Sequence, residues 1–315
     1  MESGYLKLNR SGELQERIEK SHELLAQCRL CPRNCGVNRL DGERGFCGVG
    51  ARAEIASYGP HFGEEAVLVG NNGSGTIFFC GCNLHCVFCQ NYDISHHEEG
   101  SCIEASDEQL AGVMLELQRQ GCHNINFVTP SHLVPQLLAA LPVAVEHGLT
   151  VPLVYNSGGY DSLETLHLLE GIIDIYMPDF KFWRPESAKR YMRAKNYPEI
   201  ARSALVEMQR QVGDLQVDDR GIATRGLLVR HLLMPAGEEE TEDILTFVAT
   251  EVSLSCYLNI MDQYRPCGRA AEFAEISSGI SHEQYQRAIQ KAKSLGLTRL
   301  DTRDLGGLLK MLFGK

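Results

Sequence analysis

Three cysteines with short, defined spacings, Cys82-x-x-x-Cys86-x-x-Cys89, are the residues most suited to chemistry. Thiolates placed this closely on one loop can wrap a cuboidal iron–sulfur cluster. A [4Fe–4S] cluster usually takes four cysteines, so a set of three leaves one iron open to a small molecule, as in a catalytic metal site. The alternative is a zinc site that uses the same thiols together with Cys80.

A second set of four cysteines precedes the first one: Cys28, Cys31, Cys35 and Cys47. Prolines and glycines surround them, and residues 28–50 contain too few apolar side chains to build a core of their own. A bound metal can supply the stability that such a segment lacks. Four soft ligands suit tetrahedral zinc or a second, fully ligated iron–sulfur cluster. Because either site would be closed, we expect it to stabilise the fold or relay electrons.

Composition narrows the classes of function. The chain of 315 residues carries a formal net charge of −11, which argues against a nucleic-acid binder because such proteins usually present basic surface. We see no apolar stretch of the length of a membrane helix and no signal-peptide core, so we expect a cytoplasmic protein without a membrane segment. In that reducing compartment, we expect the cysteines to bind metals or clusters rather than to form a disulfide framework.

The elements that must position the cysteines alternate between strand and helix from about residue 75. Apolar and β-branched runs predict strands at 76–79, 125–128, 151–155, 172–177, 227–234 and 257–261. Helices are predicted at 11–27, 133–145 and 163–169, and after the capping boxes Ser106-x-x-Gln109 and Ser281-x-x-Gln284. This alternation indicates parallel βαβ units in an α/β fold. Six strands are too few for the eight-stranded barrel, which leaves an open partial barrel or a doubly wound sheet.

The pattern Cys-x-x-x-Cys-x-aromatic-Cys, with Phe88 as the aromatic residue, resembles the signature of the radical S-adenosylmethionine superfamily. Within it, the chain is most similar to pyruvate formate-lyase activating enzyme-like proteins, in the stretches GSGTIFFCGCNLHCVFCQN, NFVTPSH, YNSGGYD, DIYMPDFKFW and LNIMDQYRP. The resemblance implies a partial (β/α)6 barrel over residues 51–315. An N-terminal helix and a cysteine-rich metal-binding segment would precede it, at residues 1–50.

The resemblance also implies a reaction. A reduced [4Fe–4S] cluster on Cys82, Cys86 and Cys89 would cleave S-adenosylmethionine to methionine and a 5′-deoxyadenosyl radical, which takes hydrogen from a substrate. A reducing partner such as flavodoxin or ferredoxin would supply the electron, and a glycyl radical enzyme is the expected protein substrate. The alternatives are radical modification of a small molecule or an RNA base, and a non-catalytic, zinc-stapled interaction protein.

Several positions are candidates for contact with the cofactor. Besides Phe88, Thr129 and Ser131 stand where the family has a Gly-Gly-Glu segment that meets the methionyl amine. Their hydroxyl or backbone groups can accept hydrogen bonds there, but Ser131 can also be a plain helix cap. Asn156 opens a glycine turn that resembles the Asn-Gly turn of the family.

The last two candidates are basic. Lys181, in an Asp-x-Lys sequence that resembles that of the activases, can pair with the methionyl carboxylate as a point charge, or with Asp179 at the surface. His231 lies in a predicted apolar strand and either faces the site or is a buried core residue.

Overall fold

The computed structural model describes residues 2–96 and 102–301. Its strands are β1 (Ala53–His61), β2 (Ser74–Phe79), β3 (Ile103–Ala105), β4 (Ile125–Val128), β5 (Leu153–Ser157), β6 (Ile175–Pro178), β7 (Gln216–Val217), β8 (Ala223–Leu232) and β9 (Tyr257–Met261). Its helices are α1 (Gly4–Ser11), α2 (Glu13–Glu23), α3 (Ala66–Val69), α4 (Tyr92–Ser95), α5 (Asp107–Arg119), α6 (Val134–Glu146), α7 (Leu163–Leu168), α8 (Pro185–Met192), α9 (Tyr197–Val212), α10 (Glu238–Phe247) and α11 (His282–Ser294).

A sheet of parallel strands forms the centre of the chain. The strands β2, β4, β5, β6, β8 and β9 pair in that order, each parallel to the next. In a barrel, neighbouring strands follow one another in the order of the chain, whereas in a doubly wound sheet the strand order reverses at the switch point. The predicted α/β class with a parallel central sheet is therefore confirmed, and the order of the strands favours the partial barrel.

Antiparallel strands also join this sheet. Beyond β2, β1 pairs with β2 and also with β3, and β7 pairs with the first residues of β8, before the part of β8 that pairs with β9. The parallel strands are buried on both faces: every residue of β5 and β6 is buried, as expected where helices cover one face and the barrel interior the other. On the inner face, Leu68 of α3 packs against Val154, Ile175 and Leu228, so the segment between β1 and β2 closes part of the interior.

The capping boxes act as the sequence predicts. The Ser106 hydroxyl accepts from the backbone N–H of Gln109 at 3.3 Å, and Ser106 N–H donates to the Gln109 side chain at 2.8 Å. The same reciprocal pair opens α11 at Ser281. Within the two described ranges, no helix has both the length and the apolar character needed to cross a bilayer.

Candidate functional site

The cluster loop, residues 80–89, follows β2 at the carboxyl end of the parallel sheet. The backbone N–H groups of Cys80 and Val87 fix its two ends, donating to carbonyl oxygens of β1 and α8 at 2.8 and 2.9 Å. Between them, the buried Asn83 side chain donates to the Tyr160 carbonyl oxygen at 2.8 Å. The loop is thus tied to the sheet edge, to α8 and to the turn after β5.

The three thiols of this loop lie in a sheltered setting. Cys86 is buried, and Cys82 and Cys89 are half-buried. The backbone N–H of Leu84 donates to Cys82 Sγ at 3.3 Å, and the Ser95 hydroxyl donates to Cys89 Sγ at 3.4 Å. Hydrogen bonds to sulfur favour the thiolate form and tune the potential of an iron–sulfur cluster.

Burial works against ionisation of these thiols. It raises the pKa of Cys82 to about 11, with a further contribution from the neighbouring charge of Cys89. Burial also raises the pKa of Cys86, while the ammonium of Lys181 lowers it. Because a thiol must lose its proton to ligate a metal, Lys181 is placed to favour the thiolate that a cluster needs.

An ionic network of a buried carboxylate, Asp179, and two half-buried cations, Lys181 and Arg230, lies next to Cys86. The Lys181 ammonium and the Arg230 guanidinium bind different oxygens of the Asp179 carboxylate, and the Arg230 Nε distance is 2.7 Å. Arg230 also donates to the Asn156 side-chain oxygen at 2.6 Å and lies 3.4 Å from a Glu64 carboxylate oxygen. The structure therefore brings the predicted residues Asn156 and Lys181 into one network, connected by Asp179 and Arg230.

Electrostatics keeps this network ionised. Burial alone raises the pKa of Asp179, but the charges of Arg230 and then Lys181 outweigh it, so that the pKa falls below its ordinary value. Burial lowers the pKa of Lys181, but the charges of Asp179 and Cys86, together with the hydrogen bond to Asp179, outweigh that effect and raise the pKa above its ordinary value. Lys181 is therefore a protonated, oriented ammonium beside the cluster loop.

Further polar groups occupy the inner face of the sheet. The Asn259 side chain donates to one Glu65 carboxylate oxygen at 2.7 Å, and burial raises the pKa of Glu65. In the described part of the chain, the other Glu65 oxygen and both amide atoms of Asn126 are buried without a hydrogen-bond partner. Asn126 pairs with Val154 of β5, and Asn156 lies two residues further along that strand. Since side chains two residues apart face the same side of a sheet, Asn126 and Asn156 share a face. Buried polar atoms of this kind are available to a ligand.

The glycine turn after β5 touches both the cluster loop and the ionic network. A Cβ on Gly158 would lie 2.6 Å from Leu84 Cδ1 and 3.8 Å from Lys181 Cε. At Gly159, which has a φ of +74°, a Cβ would lie 2.3 Å from the Asp179 carbonyl oxygen. The glycines at this turn therefore allow the turn to pack closely against the cluster loop and against the segment that carries Asp179 and Lys181.

Thr129 directly follows β4 and lies in the left-handed region, with a φ of +60°. That conformation is strained for a β-branched residue, and such strain clusters at functional sites. Its N–H donates to the Asn156 carbonyl oxygen at 2.8 Å. Ser131 lies elsewhere, buried beside the Tyr155 and Asp161 side chains, whose own hydrogen bond spans 2.9 Å. Thr129 thus adjoins the ionic network, whereas Ser131 belongs to a separate buried polar cluster.

Phe88, a residue of the cluster loop, has a buried side chain. Its ring centroid lies 5.8 Å from that of Phe182 and 6.2 Å from that of Tyr264. Phe182 follows Lys181 directly in the sequence, so this aromatic contact connects the cluster loop to the segment that carries the ammonium.

His231 points away from the ionic network. Its Nδ1 donates to the Phe180 carbonyl oxygen at 2.7 Å, and its Nε2 accepts from the Thr241 hydroxyl at 2.9 Å. Burial lowers the pKa of His231 to about 4, so the ring is neutral. Because successive strand residues face opposite sides of a sheet, Arg230 rather than His231 faces the site.

Sequence reasoning missed Arg230, Glu64 and Glu65. Arg230 had a usable signal, because it is a charged residue inside the apolar run of β8 and alternates with His231. The two glutamates had none, since they lie between β1 and β2 and reach the site only through the tertiary fold.

Cys80 and Cys102 form a disulfide, with their Cα atoms 6.2 Å apart. The expectation of metal-binding cysteines without disulfides is wrong for this pair. The reason lies in the sheet register: Phe79 and Ile103 both pair with Ile55 of β1, from opposite sides. The adjacent cysteines are thereby brought together, and Cys80 is not available as the metal ligand considered from sequence.

The four N-terminal cysteines come together on one segment next to the cluster loop. Cys28, Cys31 and Cys47 are buried and Cys35 is half-buried. Burial, and then the nearby thiols of Cys47, Cys28 and Cys35, raise the pKa of Cys31 to about 12. Among residues 2–96 and 102–301, no three His, Cys, Asp or Glu side chains stand as a ready site for a single metal ion.

Comparison with known proteins adds an independent line of evidence. The model of the Radical SAM superfamily matches residues 76–214, which include the cluster loop, Thr129, Asn156 and Lys181. The uncharacterized protein MJ0674 of Methanocaldococcus jannaschii is 33% identical over 290 residues, covering 90% of this chain and 79% of that protein. A crystal structure of a domain of pyruvate-formate lyase-activating enzyme from Bacteroides vulgatus aligns with a TM-score of 0.35 and 14% identity, covering 61% of this chain and 88% of that one. The chain belongs to the radical S-adenosylmethionine superfamily.

Proposed function

We propose that Cys82, Cys86 and Cys89 hold a [4Fe–4S] cluster with one open iron, and that the chain uses it to cleave S-adenosylmethionine reductively. The observation that carries this proposal is the three-thiol loop at the carboxyl end of β2, beside a protonated Lys181. The remaining cysteine of the loop, Cys80, is tied to Cys102. The loop therefore offers three thiolates, which leaves one of four irons without a cysteine from this loop.

The surroundings of the three thiols fit such a cluster. N–H and O–H groups donate to two of the sulfurs, and the half-buried ammonium of Lys181 lies near the third. These are the interactions that stabilise thiolates in an otherwise buried setting. The cluster and S-adenosylmethionine, when bound, supply the cleavage that yields methionine and a 5′-deoxyadenosyl radical.

The residues of the ionic network bind and orient S-adenosylmethionine in this proposal. Lys181 pairs with the methionyl carboxylate. Asp179 binds the Lys181 ammonium and holds it in place, and Arg230 binds the other carboxylate oxygen of Asp179. Thr129, next to Asn156 at the end of β4, meets the methionyl amine. The support for these roles is the position of all of them beside the cluster loop, at the edge where α/β sheets bind ligands.

The partners follow from the chemistry. A low-potential one-electron donor such as flavodoxin or ferredoxin supplies the electron, and the radical takes hydrogen from a glycyl radical enzyme. The support for the second partner is the resemblance of the sequence stretches around the cluster loop and the YNSGGYD turn to the activating enzymes. The unpartnered Glu65 and Asn126 atoms are the groups that substrate would meet inside the barrel.

Metal analysis tests the cluster assignment. After anaerobic reconstitution, Cys86→Ala should lose about four irons and the matching sulfide relative to the unmodified chain. Cys256→Ala, which changes a buried cysteine far along the sequence on the β9 side, is the matched control and should keep its full iron content. Equal iron in both variants, or stoichiometric zinc in place of iron at the three thiols, would refute the assignment and favour a zinc-stapled protein.

Deuterium transfer tests the substrate. A glycyl radical enzyme with a deuterated target glycine should pass deuterium into 5′-deoxyadenosine when mixed with the reduced protein. Transfer from a labelled small molecule or RNA, and none from the protein, would overturn the partner while leaving the radical chemistry intact.

A further inference from the structure

The cysteine-rich segment, residues 28–49, has the local geometry of a metal-binding turn. The N–H of Phe46 donates to Cys35 Sγ at 3.4 Å. Asn34 and Gly36 on either side of Cys35 adopt φ of +45° and +69°, which turns the chain sharply around that sulfur.

Apolar packing differs along this segment: Cys47 and Val49 belong to the main core, whereas the start of the segment packs separately. One small apolar cluster contains Leu24, Leu25, Cys28 and Leu30, with Val37 and Leu168 at its edge. Backbone bonds between Cys28 and Val37, at 2.9 Å, and between Gly36 and Cys28, at 3.0 Å, close the turn. Four thiols gathered in one turn-rich segment are typical of a segment that a metal stabilises.

Arg33, between Cys31 and Cys35, reaches from this segment to the cluster loop. Its guanidinium donates to the Asn83 carbonyl oxygen at 2.7 Å and to the Leu84 carbonyl oxygen at 3.4 Å. It also donates to carbonyl oxygens at the end of α8, at 2.9 and 2.5 Å. Both cluster-loop carbonyls lie between Cys82 and Cys86, so one side chain holds the backbone that spaces two cluster thiols.

Two further contacts connect the same two segments. The ring of Phe46 lies 3.8 Å beneath the Arg33 guanidinium and 4.4 Å from the ring of His85 in the cluster loop. The buried Arg39 donates to the His132 carbonyl oxygen at 2.7 Å, and the His132 ring donates to the Cys80 carbonyl oxygen at 3.0 Å. The cysteine-rich segment is therefore connected to the start of the cluster loop through His132, and it contacts the middle of that loop directly.

We propose that Cys28, Cys31, Cys35 and Cys47 bind an iron–sulfur cluster, rather than a single metal ion, and that this cluster positions the cluster loop through Arg33. This inference rests on the proposed function for what the loop holds. Metal binding at Cys31 and Cys35 fixes the backbone on both sides of Arg33, so the guanidinium is held over the Asn83 and Leu84 carbonyls before the catalytic cluster assembles. Outer contacts of this kind orient ligands and tune the bound metal.

Metal analysis of a variant without the catalytic thiols tests the new site by itself. With Cys82, Cys86 and Cys89 all changed to alanine, the chain should retain about four irons and the matching sulfide, whereas one zinc ion without iron would contradict the cluster. Adding Cys31→Ala and Cys47→Ala should remove that metal. If the variant that lacks Cys82, Cys86 and Cys89 retains no metal, the proposed second site is refuted, even if the unmodified chain still cleaves S-adenosylmethionine.

The positioning role has its own test. In Arg33→Ala, S-adenosylmethionine should bind about 10- to 100-fold more weakly, the range for outer contacts of metal sites. The electron paramagnetic resonance signal of the reduced catalytic cluster should also change, while the metal of the cysteine-rich segment stays bound. Arg33→Lys should restore part of the affinity, since an ammonium cannot reach all these carbonyls as a planar guanidinium does.

Arg29→Ala is the matched control, because Arg29 is an exposed arginine between Cys28 and Cys31. It should leave both the affinity and the signal unchanged. The Cys31→Ala and Cys47→Ala pair should reproduce the altered signal of Arg33→Ala. An Arg33→Ala protein with the signal and affinity of the Arg29→Ala control would contradict the positioning role, whatever metal the segment holds.

Discussion

Replacing Arg230 with methionine is the perturbation that tests the ionic network most sharply. The guanidinium makes a 2.7 Å bond to Asp179 and a 2.6 Å bond to Asn156, and Glu64 lies 3.4 Å away. Without it, Lys181 remains as the charge partner of the buried Asp179 carboxylate, and His61 remains as that of Glu64. Removal of one partner from a buried ion pair costs about 3–5 kcal/mol of folding free energy, a large part of the total stability of about 5–15 kcal/mol of most domains.

Urea unfolding of a double-mutant cycle measures this cost. Asp179→Asn removes the charge that Arg230 compensates, so the pair of changes should cost about 2 kcal/mol less than the sum of the single changes. Arg220→Met is the control for loss of an arginine, because the Arg220 side chain is 72% exposed in its pair with Asp218. That change should cost about 1 kcal/mol at most.

Additivity would refute the reasoning. If Asp179→Asn and Arg230→Met add within about 0.5 kcal/mol, the two side chains are not coupled in the way that the distances indicate. The same result would remove the physical basis for Asp179 and Arg230 as the residues that hold Lys181.

Two other predictions concern the basic residues named from sequence. Lys181→Met should weaken S-adenosylmethionine binding about 10- to 100-fold, since one charge-assisted bond is worth about 1.5–3 kcal/mol. The control is Lys189→Met, on the exposed face of α8, for which calorimetry should show no such loss. Equal affinities of the two variants would contradict the role of Lys181. His231→Gln should bind S-adenosylmethionine normally but lose less stability in acid. Because the folded pKa of His231 is about 4 and its ordinary value is 6.5, the unfolded chain takes the proton first as pH falls, which costs the unmodified protein about 2 kcal/mol at pH 5 relative to pH 8. Identical pH profiles of urea unfolding would contradict the buried, neutral assignment.

Local patterns made much of the fold predictable. The strands at 125–128 and 257–261 have the predicted bounds, and the capping serines Ser106 and Ser281 open helices as expected. These features depend on near neighbours in the chain, such as a hydroxyl three residues from an N–H group. The sequence pattern therefore carries the information directly.

Features that depend on tertiary contacts were missed. The strands β1 and β3 lie at an antiparallel edge and read as irregular sequence, and their register is what joins Cys80 to Cys102. The helices α9 and α10 were not predicted either, although both are regular in the structure. The face that His231 presents depends on the register of β8 against β6 and β9, which the apolar run of that strand does not reveal.

The sequence predicted the cysteine ligands of the candidate site, but not the residues that hold the cluster loop and Lys181 in position. Spacing alone identified Cys82, Cys86 and Cys89, because ligands within one loop are a local feature. Their supports come from distant parts of the chain: Arg33 contacts the loop from 50 residues away, and Arg230 reaches Asp179 across 51 residues. Such pairs are set by the packing of the parallel strands and the cysteine-rich segment.

Release of 5′-deoxyadenosine tests the central claim most directly. The anaerobically reconstituted chain, reduced with dithionite in the presence of S-adenosylmethionine, should form 5′-deoxyadenosine and methionine in equal amounts. Cys82→Ala, Cys86→Ala and Cys89→Ala should each abolish the product. A protein with a full complement of iron and sulfide that forms no 5′-deoxyadenosine would contradict the assignment of this cysteine loop as a catalytic cluster site.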